Sequence, residues 1–157
     1  MTKRKADKGI TIERIGKTAI IIDDREGDVL VEELEKNGFE CGIKRLKSAD
    51  YVYKEIGFER KTIDDFCASI IDGRLDTQVD DMKKMYKHNF ILISGRIGDR
   101  KSKINDNCII GKIVSLIVKH NVMVIFVDNE KQMAYAIKKI VERYEGDKNA
   151  KRDWRDW

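Results

Sequence analysis

The stretch Asp50-Tyr-Val-Tyr-Lys-Glu-Ile-Gly-Phe-Glu59-Arg-Lys61 decides the fold of this chain. Its two ends favour strands, and Glu55-Ile56-Gly57 favours a turn between them, so we predict a hairpin that brings Asp50 close to Glu59. Successive side chains of a strand point to opposite faces, which places Glu59 and Lys61 on one face. Two carboxylates and a lysine are the groups needed to hold a divalent metal and position a water, which suggests phosphodiester hydrolysis.

Strand and helix patterns alternate on both sides of this hairpin. Short apolar runs such as Ala19 to Ile22 predict buried strands, and apolar residues at helical spacing predict amphipathic helices. The alternation predicts an α/β fold with a mixed central sheet flanked by helices. In chain order the predicted elements are strand 19–22, helix 29–34, strand 39–46, the hairpin 50–61, helices 62–72 and 74–86, strand 90–93, a polar loop 95–107, helix 109–119, strand 122–127 and a helix over 133–144. In helix 109–119 the residues predicted to face inward are Ile110, Ile113, Val114 and Ile117.

Composition narrows the class of protein. The chain has 157 residues, 41% of them hydrophobic and 38% charged, and a net charge of +4, which describes one globular domain. No long apolar run or signal-peptide pattern is present, so we expect no membrane contact and an intracellular location, in the cytoplasm or nucleoid, or in the nucleus of a eukaryote. Three isolated cysteines, without a C-x-x-C pair, predict neither a disulfide framework nor a zinc site.

The two ends of the chain differ in composition from its centre. Residues 1–17 form a basic arm that we expect to be flexible, either touching a phosphate backbone or remaining a solvated tail. Residues 147–157 form a short charged tail. The region 18–146 is therefore the predicted domain.

Further acidic residues accompany the hairpin acids. Asp23 to Glu26 follow a predicted strand, and Asp65 lies at a predicted helix start, so we expect these side chains to converge with Asp50 and Glu59. Carboxylate oxygens are the ligands that Mg²⁺ and Mn²⁺ prefer. Each residue also has a structural interpretation, because Asp65 fits a capping box and Glu59 with Lys61 fits a surface ion pair.

Five stretches resemble motifs of the XPF family of structure-specific endonucleases, which includes the archaeal Hef nucleases. Ile22-Asp-Asp-Arg-Glu26 resembles its V-D-x-R-E, and Ala49-Asp50-Tyr51 resembles its G-D-Y. Gly57 to Phe66 is similar to V-E-R-K-S-x-x-D-L, and Ser69 to Gln78 to S-I-x-D-G-R-L-x-x-Q. Phe90 to Ser94 resembles the family's P-V-L-L-I-E strand. The stretches occur in the family's order, and the resemblance as a whole covers about residues 18–145.

The resemblance implies a restriction-endonuclease-like fold and a metal-dependent DNA repair endonuclease that cuts branched or flap DNA with Mg²⁺ or Mn²⁺. Lys61 would orient the attacking water. The implied metal-contacting residues are Asp23, Asp50 and Glu59. The implied residues that hold the phosphate backbone or buttress the site are Arg25, Arg74 and Gln78. The implied catalytic residues are Asp23, Glu26, Asp50, Glu59, Arg60, Lys61 and Asp65.

Two departures from the family's pattern affect the expectations. Ala49 stands where the family has glycine, and we expect the small side chain to be accommodated. The family usually carries a tandem helix-hairpin-helix domain after the nuclease; we expect that domain to be absent here, with the grip on duplex DNA missing or supplied by something else. The expected partners are a second copy bound through the last two helices or a heterodimer partner, and a recruiting DNA-binding protein or sliding clamp. The alternative function is a non-catalytic DNA-binding or scaffold subunit of a nuclease complex.

Overall fold

The computed structural model describes residues 19–146, which form a six-stranded mixed sheet with five α-helices. The elements are β1 Ala19–Asp23, α1 Asp28–Lys36, β2 Glu40–Lys44, β3 Tyr51–Tyr53, β4 Ile56–Thr62, α2 Ile63–Ile71, α3 Arg74–Met85, β5 His88–Ser94, a 3₁₀ turn Ile97–Asp99, α4 Asp106–Val118, β6 Val122–Val127 and α5 Glu130–Tyr144. The predicted arm 1–17 and tail 147–157 lie outside the described residues. The predicted α/β fold with a mixed sheet is confirmed.

The sheet order is β2-β1-β3-β4-β5-β6. Only β3 runs antiparallel to its neighbours, and it pairs with β1 on one side and β4 on the other. The remaining pairings, β1 with β2, β4 with β5 and β5 with β6, are parallel. The carboxyl ends of β1, β4, β5 and β6 therefore meet at one edge of the sheet, which brings Asp23 and Lys61 to the same edge.

The strand period of two divides the core between the two faces of the sheet. Phe90 and Leu92 of β5 pack into one apolar cluster with residues of α1 and α5. Ile91 and Ile93 pack into the other cluster, with residues of α2, α3 and α4. Both faces are thus covered by helices, which explains why β5 reads as an uninterrupted apolar run.

The predicted inward face of α4 is wrong for three of its four residues. The helix buries Ile109 and Leu116 instead, whereas Ile110, Val114 and Ile117 are 49%, 51% and 39% exposed. Helix α4 packs beside the edge strand β6, and no described element covers its outer side. Of the four predicted residues, Ile113 packs against the core, whereas Ile110, Val114 and Ile117 form a surface stripe.

Ala49 occupies a backbone conformation that favours glycine. Its φ is +65°, in the left-handed region, although the residue is buried. An L-residue there costs roughly 1–2 kcal/mol. The hairpin pairing survives this cost, since the backbone N–H of Asp50 donates to the Phe58 carbonyl at 2.9 Å. The alanine is accommodated at the price of local strain.

Within residues 19–146 no helix combines the length and the apolar character that crossing a bilayer requires.

Candidate active site

The β3–β4 hairpin places Asp50 beside β4, as predicted. Tyr51 pairs with Phe58 across the antiparallel ladder. One residue earlier, the Asp50 carboxylate accepts a hydrogen bond from the backbone N–H of Arg60 at 2.8 Å. Arg60 lies between Glu59 and Lys61 in β4. This hydrogen bond therefore holds the Asp50 carboxylate next to both of those residues.

Glu59 and Lys61 share a face of β4, which confirms the alternation predicted from the sequence. The Lys61 Nζ lies 3.9 Å from Glu59 Oε1, and the two residues are only 7% and 8% exposed. Their strand neighbour Phe58 points to the opposite side, into the cluster with α1 and α5. The pair of Glu59 and Lys61 is therefore buried and is not a surface ion pair. Both side chains are largely shielded from solvent.

Burial and like charge raise the pKa of both hairpin acids. Loss of solvent is the main cause for Asp50, followed by the charges of Glu59 and Glu26, and its pKa rises to about 8. Loss of solvent also raises the pKa of Glu59, to about 7, with Lys61 opposing the rise. The carboxylates are crowded and short of positive charge, so the site favours either protonation or a bound cation.

Asp23 is held differently from the hairpin acids. Its carboxylate accepts two hydrogen bonds from the Arg25 guanidinium, at 2.7 and 3.1 Å, and one from the backbone N–H of Leu46 at 2.9 Å. Its own backbone N–H donates to the Asp50 carbonyl at 2.9 Å. The hydrogen bonds from Arg25 are the main reason that the pKa of Asp23 is lowered. Asp23 and Arg25 therefore join the β1 end to the hairpin.

A second polar network lies on the opposite face of β4 from Glu59. Arg60 Nη2 is 2.7 Å from Glu130 Oε1, and Arg60 Nη1 is 3.8 Å from Glu26 Oε2. Glu26 in turn accepts a hydrogen bond from the Tyr51 hydroxyl at 2.8 Å. Sequence reasoning missed the roles of Tyr51 and Glu130. Tyr51 adjoins Asp50 in the motif, whereas Glu130 is 70 residues from Arg60 and carries no local signal.

The other predicted residues lie outside this cluster of contacts. Asp65 is exposed in the first turn of α2. Its backbone N–H donates a hydrogen bond to the hydroxyl of Thr62, the N-cap residue, at 3.1 Å. Arg74 is paired with Asp72 at 2.7 Å. Gln78 Oε1 is buried and accepts no hydrogen bond within the described residues. The structure thus brings Asp23, Glu26, Asp50, Glu59, Arg60 and Lys61 together with Arg25.

Two carboxylates of this site are suited to bind a divalent cation. Within residues 19–146 no group of three or more His, Cys, Asp or Glu side chains is arranged to hold a metal ion. Half-buried Asp50 and buried Glu59 are nevertheless two interacting carboxylates whose pKa values are raised mainly by loss of solvent, with neighbouring carboxylates adding to the rise. Oxygen ligands of this kind fit Mg²⁺ or Mn²⁺, which retain waters in addition to a few protein ligands.

The mixed sheet with carboxylates and a lysine at β4 defines a restriction-endonuclease-like domain. Residues 22–140 match the ERCC4 domain family, and the chain belongs to that family. The resemblance to XPF-family proteins is thereby confirmed.

Three relatives illustrate this membership. A putative ATP-dependent RNA helicase of Methanocaldococcus jannaschii is 34% identical over 125 residues, which cover 79% of this chain and 15% of that protein. The 3′-flap repair endonuclease Xpf of Saccharolobus solfataricus is 30% identical over 133 residues, which cover 83% of this chain and 57% of that protein. The structure of XPF from Aeropyrum pernix in complex with DNA aligns with a TM-score of 0.76 at 24% identity, over 88% of this chain and 69% of that one. The chain spans less than two thirds of the length of both sequence relatives.

Proposed function

We propose that this domain is a metal-dependent DNA endonuclease that hydrolyses phosphodiester bonds in branched or flap DNA. The observation that carries the proposal is the group formed by half-buried Asp50 with buried Glu59 and Lys61 at one side of β4. Membership of the ERCC4 domain family supports it, as does a relative named as a 3′-flap repair endonuclease. An enzyme of this kind works with the DNA inside the cell.

Asp50 and Glu59 would hold the metal ion, Mg²⁺ or Mn²⁺, and Asp23 would join them as the third carboxylate. The cation supplies the positive charge that offsets charge developing on the phosphate in the transition state. Arg25 already binds both Asp23 oxygens, so Asp23 can contribute only the lone pairs that Arg25 and Leu46 leave free. We therefore rank Asp50 and Glu59 above Asp23 as ligands.

Lys61 would orient the water that attacks the phosphorus atom. Its ammonium lies 3.9 Å from Glu59 Oε1, beyond a direct hydrogen bond but near enough for both groups to contact one water between them. Glu59 accepts a hydrogen bond from that water while Lys61 donates one to it or to a phosphate oxygen. The burial of both side chains keeps other waters away and strengthens these contacts.

The remaining matched residues have positioning roles in this proposal. Arg60 is held between Glu26 and Glu130, and it fixes the β4 backbone to the start of α5. Arg25 buttresses Asp23, and Arg74 at the start of α3 is exposed and can exchange Asp72 for a DNA phosphate. Asp65 and Gln78 would contact the DNA or the site only once substrate is bound.

A cleavage panel tests the proposed function. Purified protein is incubated with flap, fork, nicked and linear DNA of one sequence, with metal omitted and then restored. We expect cutting near the junction of flap or fork DNA that depends on Mg²⁺ or Mn²⁺, because the site requires a cation. DNA binding without cutting of any substrate would favour the alternative, a non-catalytic subunit. Equal cutting of linear DNA would contradict the assignment to branched substrates.

We also propose that the protein forms a homodimer through the outer face of α4 and the adjacent edge strand β6. Ile110, Val114, Ile117 and Val118 are 49%, 51%, 39% and 75% exposed on α4, and Phe126 is 39% exposed on β6. An apolar stripe of this extent, next to the strand that ends the sheet within residues 19–146, is typical of an interface. A heterodimer partner with a similar face would bind in the same place, whereas a recruiting protein such as a sliding clamp would bind elsewhere.

Val114→Glu tests this interface, and Val29→Glu on α1 is the matched control, since Val29 is 59% exposed on a different helix. Sedimentation equilibrium should give the wild type and the control about twice the chain mass of 18.2 kDa and the Val114 variant the single mass. A monomeric wild type would refute the homodimer, and the same experiment with a candidate partner would then test a heterodimer.

A further inference from the structure

The loop between β5 and α4, residues 95–105, lies at the same sheet edge as the carboxylates. It leaves the carboxyl end of β5, which is parallel to and paired with β4. The Asp64 carboxylate in the first turn of α2 accepts hydrogen bonds from the backbone N–H groups of Lys101 at 2.8 Å and Ser102 at 3.1 Å. The loop is thereby fastened to α2, which begins two residues after Lys61.

Internal contacts hold the loop in shape. Arg100 donates to the carbonyls of Ile97 at 2.6 Å and Ile104 at 2.7 Å, and it pairs with Asp106 at the start of α4. The Arg100 side chain is 13% exposed, so its charge serves the loop rather than a ligand. These contacts of Arg100 hold the other loop residues in a fixed arrangement.

Three other cations on the loop make no contact of this kind within residues 19–146. Arg96, Lys101 and Lys103 are exposed, and within residues 19–146 their side chains make no ion pair. The one acidic side chain among residues 95–105 is Asp99, so the loop is net positive. By contrast, Arg60, Arg74 and Lys112 are each paired with a carboxylate.

The short chain between Glu59 and Asp64 limits how far the loop can lie from the proposed cut. Asp64 follows Glu59 by five residues, which is at most about 17 Å even for fully extended chain. At about 3.4 Å of rise per nucleotide, this is about five base pairs. The segment of loop bonded to Asp64 therefore lies near enough to Glu59 to reach the first half-turn of a duplex whose scissile phosphate sits there.

We propose that Arg96, Lys101 and Lys103 form a contact surface for the phosphate backbone of the duplex arm next to the cut. The inference rests on the proposed function for the position of the scissile phosphate. This loop lies outside every family motif. Its positive charge would offset the repulsion between the DNA and the acidic site. A contact of this kind positions the duplex without reading its sequence.

The test compares two triple variants that remove the same charge. The loop variant carries Arg96→Gln, Lys101→Gln and Lys103→Gln. The control carries Lys84→Gln, Lys87→Gln and Lys119→Gln, which are exposed at the opposite end of the neighbouring strands. The Kd for fluorescent flap DNA is measured in EDTA between about 50 and 200 mM salt. Three lost phosphate contacts should lower the slope of log Kd against log salt by about 2.7 in the loop variant.

An equal change of slope in the two variants, or no change in the loop variant, would overturn the inference. Cleavage by the same proteins in Mn²⁺ separates it from the proposed function. A wild type that cuts while the loop variant keeps its slope refutes only the loop contact. A wild type that fails to cut, with the slope lowered in the loop variant alone, refutes only the nuclease and leaves the DNA contact supported.

Discussion

Glu59→Gln is expected to lower the rate of DNA cleavage by at least about a thousandfold, because it removes a carboxylate from the proposed cation site. A site cation contributes several kcal/mol to transition-state stabilisation, and about 4 kcal/mol corresponds to a thousandfold in rate. The same change should raise the melting temperature of the metal-free protein near pH 8. Glutamine has nearly the shape of glutamate, and its neutrality removes the Glu59 charge that, after loss of solvent, contributes most to the raised pKa of Asp50.

Single-turnover cleavage and thermal melting in EDTA together check this expectation. Glu55→Gln, an exposed position in the turn of the same hairpin, is the matched control and should leave both properties unchanged. Loss of cleavage together with a sharply lower melting temperature would mean that Glu59 supports the fold. Retained cleavage would remove Glu59 from the site altogether.

Asp50→Asn is expected to flatten the dependence of stability on pH. In the folded protein the pKa of Asp50 is raised to about 8 from 3.8, and that of Glu59 to about 7 from 4.5. Between those values the folded state retains protons that the unfolded state has released. The stability contributed by the protonated acids is therefore fully present below about pH 4 and is lost as the pH rises through about 7 and 8. Asparagine carries no titrating proton, so the variant does not lose this contribution to stability as the pH rises. Its side-chain carbonyl still accepts the hydrogen bond from the Arg60 N–H.

Melting in EDTA at about pH 5 and about pH 9 measures this difference. The wild type should lose more stability than Asp50→Asn by at least about 3 °C, the shift that roughly 1 kcal/mol produces in a domain of this size. Asp23→Asn provides the contrast. It gives up charged hydrogen bonds from Arg25 and should melt lower than the wild type at both values. Parallel pH profiles for wild type and Asp50→Asn would contradict the crowded carboxylate site.

Local sequence patterns predicted the centre of the site well. The strand period fixed the common face of Glu59 and Lys61, and the hairpin between two strand-forming runs fixed Asp50 beside them. These predictions succeeded because each depends on residues within a dozen positions of one another. The alternation of buried strands and helices predicted the layered fold for the same reason.

Long-range partners could not be read from local patterns. The ion pair of Arg60 with Glu130 depends on β6 and α5 returning to the site edge, which only the sheet order determines. The stripe on α4 was assigned to the core because periodicity identifies an apolar face without showing what covers it. The hydrogen bond from the Leu46 backbone to Asp23, across 23 residues, likewise follows from the pairing of the β1 and β2 ends.

The most direct test of the account is the single-turnover rate at which wild type and Asp50→Asn cut a 3′-flap duplex in Mn²⁺. We expect the wild type to cut near the junction and to stop when EDTA is added. Asp50→Asn, folded and at least as stable near pH 8, should cut at least about a thousandfold more slowly. Equal cutting by the two proteins, or no metal-restored cutting by the wild type on any branched substrate, would contradict a nuclease site built on Asp50, Glu59 and Lys61.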